Sequence, residues 1–272
     1  IQYNGQVDIS AKILTLTTGS IKDVGGIDDN NASVHLTATD SIGLSKGNIF
    51  ANDEIKFTTK DFSLDNFMVE TTKNGLSLDA SGEVNLNAGN FELTGDTEAA
   101  NVNIGADDLC MQLFQIHMLG FDNQSDLSIK ANTISLESSN IQSINALDDH
   151  SLSIEAETSI TMDAFGISSP NSDIDISITA GEFIHLSDSD KDEDCLTTGN
   201  FLSIDDANLE FELISKEVSI LGSTIAVNSG NGKIKVEGTE KVNLFSSRIS
   251  ITDNGANAFT KNELTVQTKV FK

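Results

Sequence analysis

The sequence predicts an all-β chain wound as a β-helix, a β-solenoid of strand-and-bend repeats about eight residues long. Three observations predict it. A phrase of two apolar residues flanking one polar residue, closed by a small residue, recurs along the chain. Leu76-Ser77-Leu78-Asp79-Ala80 is followed by Val84-Asn85-Leu86-Asn87-Ala88 and Phe91-Glu92-Leu93-Thr94-Gly95. The i, i+2 alternation is a strand signal, and helical i, i+3, i+4 spacing is nearly absent. The linkers, such as Glu157-Thr158-Ser159, Ser215-Lys216-Glu217, Ser223-Thr224 and Ser246-Ser247-Arg248, lack the Asn-Gly or Gly-first chemistry of tight hairpins. Such residues disfavour positive φ and imply gentle bends in one direction rather than reversals.

The elements follow in order. After the phrases at 76–95, strand starts fall at Leu127, Ile134 and Ile141, then at Leu152, Ile160, Ile167 and Ile174. The last third supplies Leu202, Leu209, Val218, Ile225, Ile234, Val242 and Ile249. Alternate residues should face a narrow interior, with Leu, Ile and Val at the first two inward positions and Ala, Ser, Thr or Gly at a tighter corner. Ser128, Lys130, Ser135 and Glu137 belong to the outward row. We read residues 1–272 as one continuous β-helix with two breaks in rhythm. One lies at 109–125, where LCMQLFQIHMLGF over 109–121 flips phase between Leu113 and Phe114, as a bulge or a change of cross-section does. The other is an acidic insertion at 187–200.

Composition narrows the function. Sixteen basic against 42 acidic residues give a net charge of −26, which repels phosphate backbones and anionic lipid surfaces. The same charge keeps β-rich edges apart. With no Trp and a single Tyr, the chain lacks the aromatic platforms that stack bases or sugars. No stretch approaches the ~20 apolar residues of a membrane helix. Cys110 and Cys195 match no metal-binding spacing, and a bond between them, a bond between chains, or free thiols are all compatible with the sequence. Asn31-Ala32-Ser33 and Asn123-Gln124-Ser125 are glycosylation sequons of the kind an Asn- and Ser-rich chain produces by chance.

Few residues suggest chemistry. The candidate metal ligands are Asp188, Asp190, Asp192 and Asp194, whose alternating carboxylates have the spacing that wraps Ca²⁺. They lack the glycine and the distal Glu of an EF-hand, so a solvated acidic loop is the alternative. Asp28-Asp29-Asn30-Asn31 and Asp148-Asp149-His150 are weaker versions. Gly43-Leu44-Ser45-Lys46-Gly47 matches G-x-S-x-G but sits in a strand phrase with no helix after it. His35, His117, His150 and His185 are scattered. No catalytic residue and no resident cofactor emerge from this reading.

The period permits two windings. One chain coiled on itself needs about 24 residues per coil, giving about 11 coils and a stub of roughly 55 Å. Three chains wound together would each advance about 4.8 Å per eight-residue step, giving a needle of roughly 160 Å. The runs LSLDASGEVNLNAGNFELTG and SLSIEAETSITMDA resemble the intertwined trimeric β-helices of contractile-tail spikes, including phage tail needles and the type VI secretion spike. They are similar in the same way to the extracellular region of the sarcoglycans. The chain has neither the His-x-His of the phage tips nor a Cys-rich end like that of the sarcoglycans, so no functional residue carries over. The resemblance implies a homo- or heterotrimeric, non-enzymatic stalk, needle or cell-surface scaffold, outside the cell or on an injection particle. Its partners are related chains, and other proteins at its ends. A single-chain solenoid that binds or cleaves polysaccharide, or a calcium-dependent adhesive module, is the alternative. An ice-binding face would need Thr-x-Thr in register, which Thr15-Leu16-Thr17 and Thr37-Ala38-Thr39 begin but later phrases drop.

The inward assignment is directly testable. Leu152→Asp should abolish the cooperative thermal transition followed by circular dichroism, whereas Ser153→Ala should leave it in place; normal folding of Leu152→Asp would refute the assignment.

Overall fold

The computed structural model describes residues 1–24, 32–94, 101–119, 126–144, 150–170, 174–187, 200–205, 208–228, 231–252 and 263–269. Nearly all of these lie in strands, none lies in a helix, and every strand pairing is parallel. The chain is a β-solenoid of stacked coils with three faces. Each coil passes along a first and a second face, then along a third that forms its own eleven-stranded sheet. The first two faces count as one fifteen-stranded sheet because strands such as Asp126–Glu137 and His150–Asp163 bend through the corner between them without breaking. A register shift between Ala131 and Thr133 marks that bend. Eleven stacked strands make a rod about 50 Å tall.

Of the two windings that the period permits, the structure has the chain coiled on itself, not the intertwined three-chain winding that the resemblance favours. Leu109 pairs with Ile134, and Ile134 with Ile160. Each coil therefore finds its hydrogen-bond partners about 25 residues away in its own chain, and the ladders close without strands from another chain.

Alternation along each strand becomes columns across the stack. On the second face Ile42, Phe62, Val84, Leu109, Ile134, Ile160, Ile184, Val218 and Val242 lie one above another, all buried. On the first face the same holds for Leu36, Phe57, Leu78, Ile104, Ile129, Ile154 and Ile178. Each such side chain contributes about 1.5–3 kcal/mol by leaving water. The small third residue closes the first corner, where Ala38, Thr59, Ala80, Ala131, Ala156 and Ala180 are buried.

The corner between the second and third faces is built differently from the sequence expectation. Thr18, Lys46, Asn66, Ala88, Leu113, Ser138, Ala164 and Ser246 all take φ between 46° and 53°, and Gly222 takes 62°. Positive φ was expected to be avoided in the linkers, and Ser246 is one of the linker residues that adopts it. The reason lies in the next coil. A single left-handed residue turns the chain while its N–H stays in the ladder: Ala88 N donates to Gln112 O at 3.0 Å, Leu113 N to Glu137 O at 3.0 Å, and Ser138 N to Asp163 O at 2.9 Å. Each such hydrogen bond contributes about 0.5–1.5 kcal/mol net, which offsets much of the roughly 1–2 kcal/mol of left-handed strain.

The residue after each left-handed position turns toward the interior, and from Gly47 to Phe165 its size alternates up the stack. Gly47, Phe67, Gly89, Phe114, Ser139 and Phe165 follow one another coil by coil. A Cβ on Gly47 would meet Phe67 Cε2 at 2.8 Å, and one on Gly89 would fall on the Phe67 carbonyl and 3.0 Å from Phe114 Cε2. Each ring therefore fills the space that its small neighbours leave. The phase flip at Leu113 is this same corner: Leu109 and Met111 point inward before it, Leu113 is 58% exposed on it, and Phe114, Ile116 and Met118 point inward after it. The acidic insertion joins Ser187 on the second face to Asn200 on the third, and its residues 188–199 lie outside the described residues.

Two substitutions separate packing from strain at this corner. Gly89→Ala should destabilise by about 2 kcal/mol through overpacking. Leu113→Gly should stabilise by about 0.5 kcal/mol, the relief of left-handed strain exceeding glycine's added chain entropy. Denaturant titration reads both, and a neutral Gly89→Ala would contradict the close approach of the Phe67 carbonyl to this position.

Candidate functional site

Many outward side chains among the described residues pair with the coil above or below. Lys130 pairs with Glu155 at 2.8 Å, Lys216 with Glu182 at 2.5 Å, Lys235 with Glu212 at 3.7 Å and Lys241 with Glu217 at 3.9 Å. Asn87 Nδ2 donates to Asp65 at 2.8 Å, Gln112 Nε2 to Glu137 at 3.1 Å, and Ser187 Oγ to Asp163 at 2.9 Å. These groups sit at equivalent positions of successive coils, so the parallel register alone brings them within reach. Exposed pairs of this kind contribute at most about 1 kcal/mol each.

A surface depression of about 340 Å³ opens at the corner between the first and second faces. Ala106, Ala131 and Ala156, the small third residues of three consecutive coils, form its floor, and Asp107, Lys130, Asn132, Glu155 and Glu157 form its rim. Lys130 is tied to Glu155, the Asn132 N–H donates to Asp107 O at 2.7 Å, and Thr158 Oγ1 donates to Asn132 Oδ1 at 2.6 Å. The rim offers hydrogen-bonding groups to a hydroxyl-rich or cationic ligand. Neither histidine nor cysteine lines it.

The third face carries a column of charge. Lys22 stacks on Phe50, and then come Glu70, Glu92 and His117 in register. Burial raises the Glu70 carboxyl above the ordinary carboxylate range, the Glu92 carboxylate beside it raises it further, and Lys22 opposes both. Two glutamates on adjacent rungs are one strand spacing apart, about 4.8 Å. Sequence reading missed this pair because Glu70 and Glu92 are 22 residues apart, and only the coil length brings them together.

The residues singled out from the sequence fare as follows. Asp188, Asp190, Asp192 and Asp194 lie outside the described residues, as do Asp28–Asn31, Asp148, Asp149, Cys195 and both sequon asparagines. Among the described residues no group of three or more His, Cys, Asp or Glu side chains could hold a metal ion. In the G-x-S-x-G stretch Leu44 points into the core, Lys46 is a left-handed corner and the chain continues into another strand, Asn48–Ala51, so there is no nucleophile elbow. His35 lies between two carboxylates, with Nδ1 3.2 Å from Asp8 and Nε2 3.2 Å from Glu54. His117 and His185 sit on the outward rows of different faces. Cys110 is free and exposed, and burial, followed by the nearby Glu137 carboxylate, pushes its thiol pKa up, away from the reactive thiolate. No helix among the described residues is long and apolar enough to cross a membrane.

No protein-family model, curated protein or solved structure matches the chain.

The raised Glu70 value has a sign that can be measured. Its folded form holds a proton more tightly than the unfolded chain does, so its contribution to stability is greatest below the ordinary carboxylate value and falls as pH rises through the raised one. Glu70→Gln should flatten this part of the stability profile and raise the thermal midpoint at pH 7. An unchanged profile between pH 4 and 7 would show that the pair exerts no strain.

Proposed function

We propose that the protein is a structural module, a rigid rod that serves as a stalk, needle or surface scaffold and performs no reaction of its own. The observation that carries this reading is the filled interior: on the first face one inward column runs as large apolar side chains from Leu36 to Val236. A filled core and continuous ladders resist bending and shear. The outward rows spend their functional groups on pairs between coils, which suits a load-bearing surface better than a catalytic one. Because each chain closes its own ladders, the trimer expected from the resemblance would join finished rods rather than exchange strands. The strong negative charge suits an exterior setting in which unrelated rods must not stick to one another.

A second reading is favoured by the corner depression. Asn132, Glu155 and Glu157 over an alanine floor offer hydrogen bonds to sugar hydroxyls, as in a polysaccharide-binding solenoid.

Force spectroscopy tests the first reading. Pulling from the two ends should extend the rod in steps of one coil, each about 25 residues and roughly 85 Å of extended chain. Extension at low force without steps would rule out a load-bearing role. Saturable binding of a polysaccharide that is lost in Glu157→Ala would favour the second reading.

A further inference from the structure

His35 is tied to the coils on both sides of it. It faces outward on the strand Ser33–Ser45, with Asp8 beside it on one rung and Lys56 on the next. Its Nδ1 lies 3.2 Å from Asp8 Oδ1, and its Nε2 lies 3.2 Å from Glu54 Oε2. Asp8 belongs to the strand Gln6–Thr17, and Glu54 leads into Ile55–Thr59, so the ring joins three successive coils. The Glu54 backbone is held against the same strand, its carbonyl accepting the Val34 N–H at 2.9 Å.

The two contacts together demand a particular protonation state. A carboxylate oxygen only accepts, and a neutral imidazole carries a single N–H. Both contacts are hydrogen bonds only in the imidazolium, where each ring nitrogen donates. Gln6 provides for the other state. Its Nε2 lies 3.0 Å from Asp8 Oδ1 and 3.3 Å from His35 Nδ1, and an amide nitrogen has two hydrogens to give. With His35 protonated, Nδ1–H and Gln6 both donate to Asp8. With the proton gone, Gln6 donates to the bare Nδ1, Nε2–H keeps Glu54, and Asp8 faces a lone pair. Because Gln6 stands on the Nδ1 side of the ring, the bond to Asp8 is the one that is lost.

The charged groups that face the ring are few. Asp8 is the one on Gln6–Thr17, Lys56 the one on Ile55–Thr59, and Glu54 stands in the turn ahead of that strand. Asp53, next to Glu54, is taken up by Ser33 Oγ at 3.1 Å and by Asn74 Nδ2. Ser33 and Thr37, the outward neighbours on the ring's own strand, are neutral. Lys56 opposes a proton on His35, and two carboxylates favour it. The other described histidine side chains lack this setting, since His117 lies between Glu92 and Gln142, and His185 between Thr161 and Ser219.

We propose that Gln6, Asp8, His35 and Glu54 form a proton-operated latch. Protonated, it ties the strand Gln6–Thr17 to the next two coils, from Asp8 through His35 to Glu54. Deprotonated, it releases Asp8 and leaves the ladder and the core to hold that joint. Histidine is the side chain that changes charge between pH 5 and 8, so the latch answers to the step from a mildly acidic to a mildly alkaline medium. It operates in the same way whether the rod bears load or binds a glycan.

Hydrogen-exchange mass spectrometry on the full chain at pH 6 and pH 8, with rates corrected for the intrinsic pH dependence of exchange, tests the latch. Protection across Gln6–Thr17 should be about threefold lower at pH 8, the share of one exposed ion pair, while Asp126–Glu137 in the middle of the stack should not change. His35→Gln keeps a polar side chain of similar reach that cannot take up the proton. It should show equal protection of Gln6–Thr17 at the two pH values, at the wild-type pH 8 level. Equal protection of the wild-type segment at pH 6 and pH 8 would overturn the proposal, and so would a pH response that survives His35→Gln. Circular dichroism establishes that the variant is folded, and the wild-type comparison decides the matter without it if it is not.

Discussion

Parallel, in-register stacking places every residue beside the equivalent residue of the next coil, one strand spacing or about 4.8 Å away. Each position therefore has to tolerate its own neighbourhood repeated up the rod. For apolar residues this is favourable: Leu109 on Ile134 on Ile160 seals a column that no single coil could bury. For charged residues it is costly, so like charges are mostly separated or countered. Lys130 lies beside Glu155, and Lys56 lies between His35 and Ser77. Acidic pairs nonetheless stand in register at Glu83 and Asp108, Glu137 and Asp163, Asp175 and Glu210, and Glu70 and Glu92, and the raised Glu70 carboxyl is the electrostatic signature of the last.

The same constraint governs the corners. A corner must turn the chain without interrupting the ladder, and the left-handed residues do this by keeping their N–H bonded to the next coil. The inward residue that follows is small and large by turns from Gly47 to Phe165. A Cβ on Gly89 would lie 2.4 Å from the Phe67 carbonyl oxygen and 3.0 Å from the Phe114 ring, so that position takes glycine between two phenylalanines. Stability in such a stack is a sum of coil and interface terms, so interior coils are held from both sides and terminal ones from one.

Much of this was legible in the sequence, for definite physical reasons. Side-chain direction in a strand has period two, so Leu152-Ser153-Ile154 reveals its inward face without knowledge of the partner. Ala80, Ala131 and Ala156 signal a tight corner by size alone. The left-handed corner was not legible, because nothing intrinsic to Leu113 or Ser138 favours positive φ; a carbonyl about 25 residues away imposes it. For that reason the flip between Leu113 and Phe114 looked like a break in rhythm when it is the ordinary corner. The depression and the Glu70–Glu92 pair were hidden likewise, since each is assembled from different coils. The acidic positions 188, 190, 192 and 194 were conspicuous in sequence but lie outside the described residues.

The central claim is that each coil pairs with the next coil of the same chain. Cys110 and Ser135 are outward rung neighbours in this winding, and both are exposed. Strand spacing places their Cα atoms within the 4.4–6.8 Å that a disulfide spans. Ser135→Cys, made with Cys195→Ser and oxidised at low concentration, should lose both thiols and remain a single chain on non-reducing electrophoresis. Covalent dimers or trimers formed through Cys110 under the same conditions would show that the neighbouring rung comes from another molecule, and would contradict the fold described above.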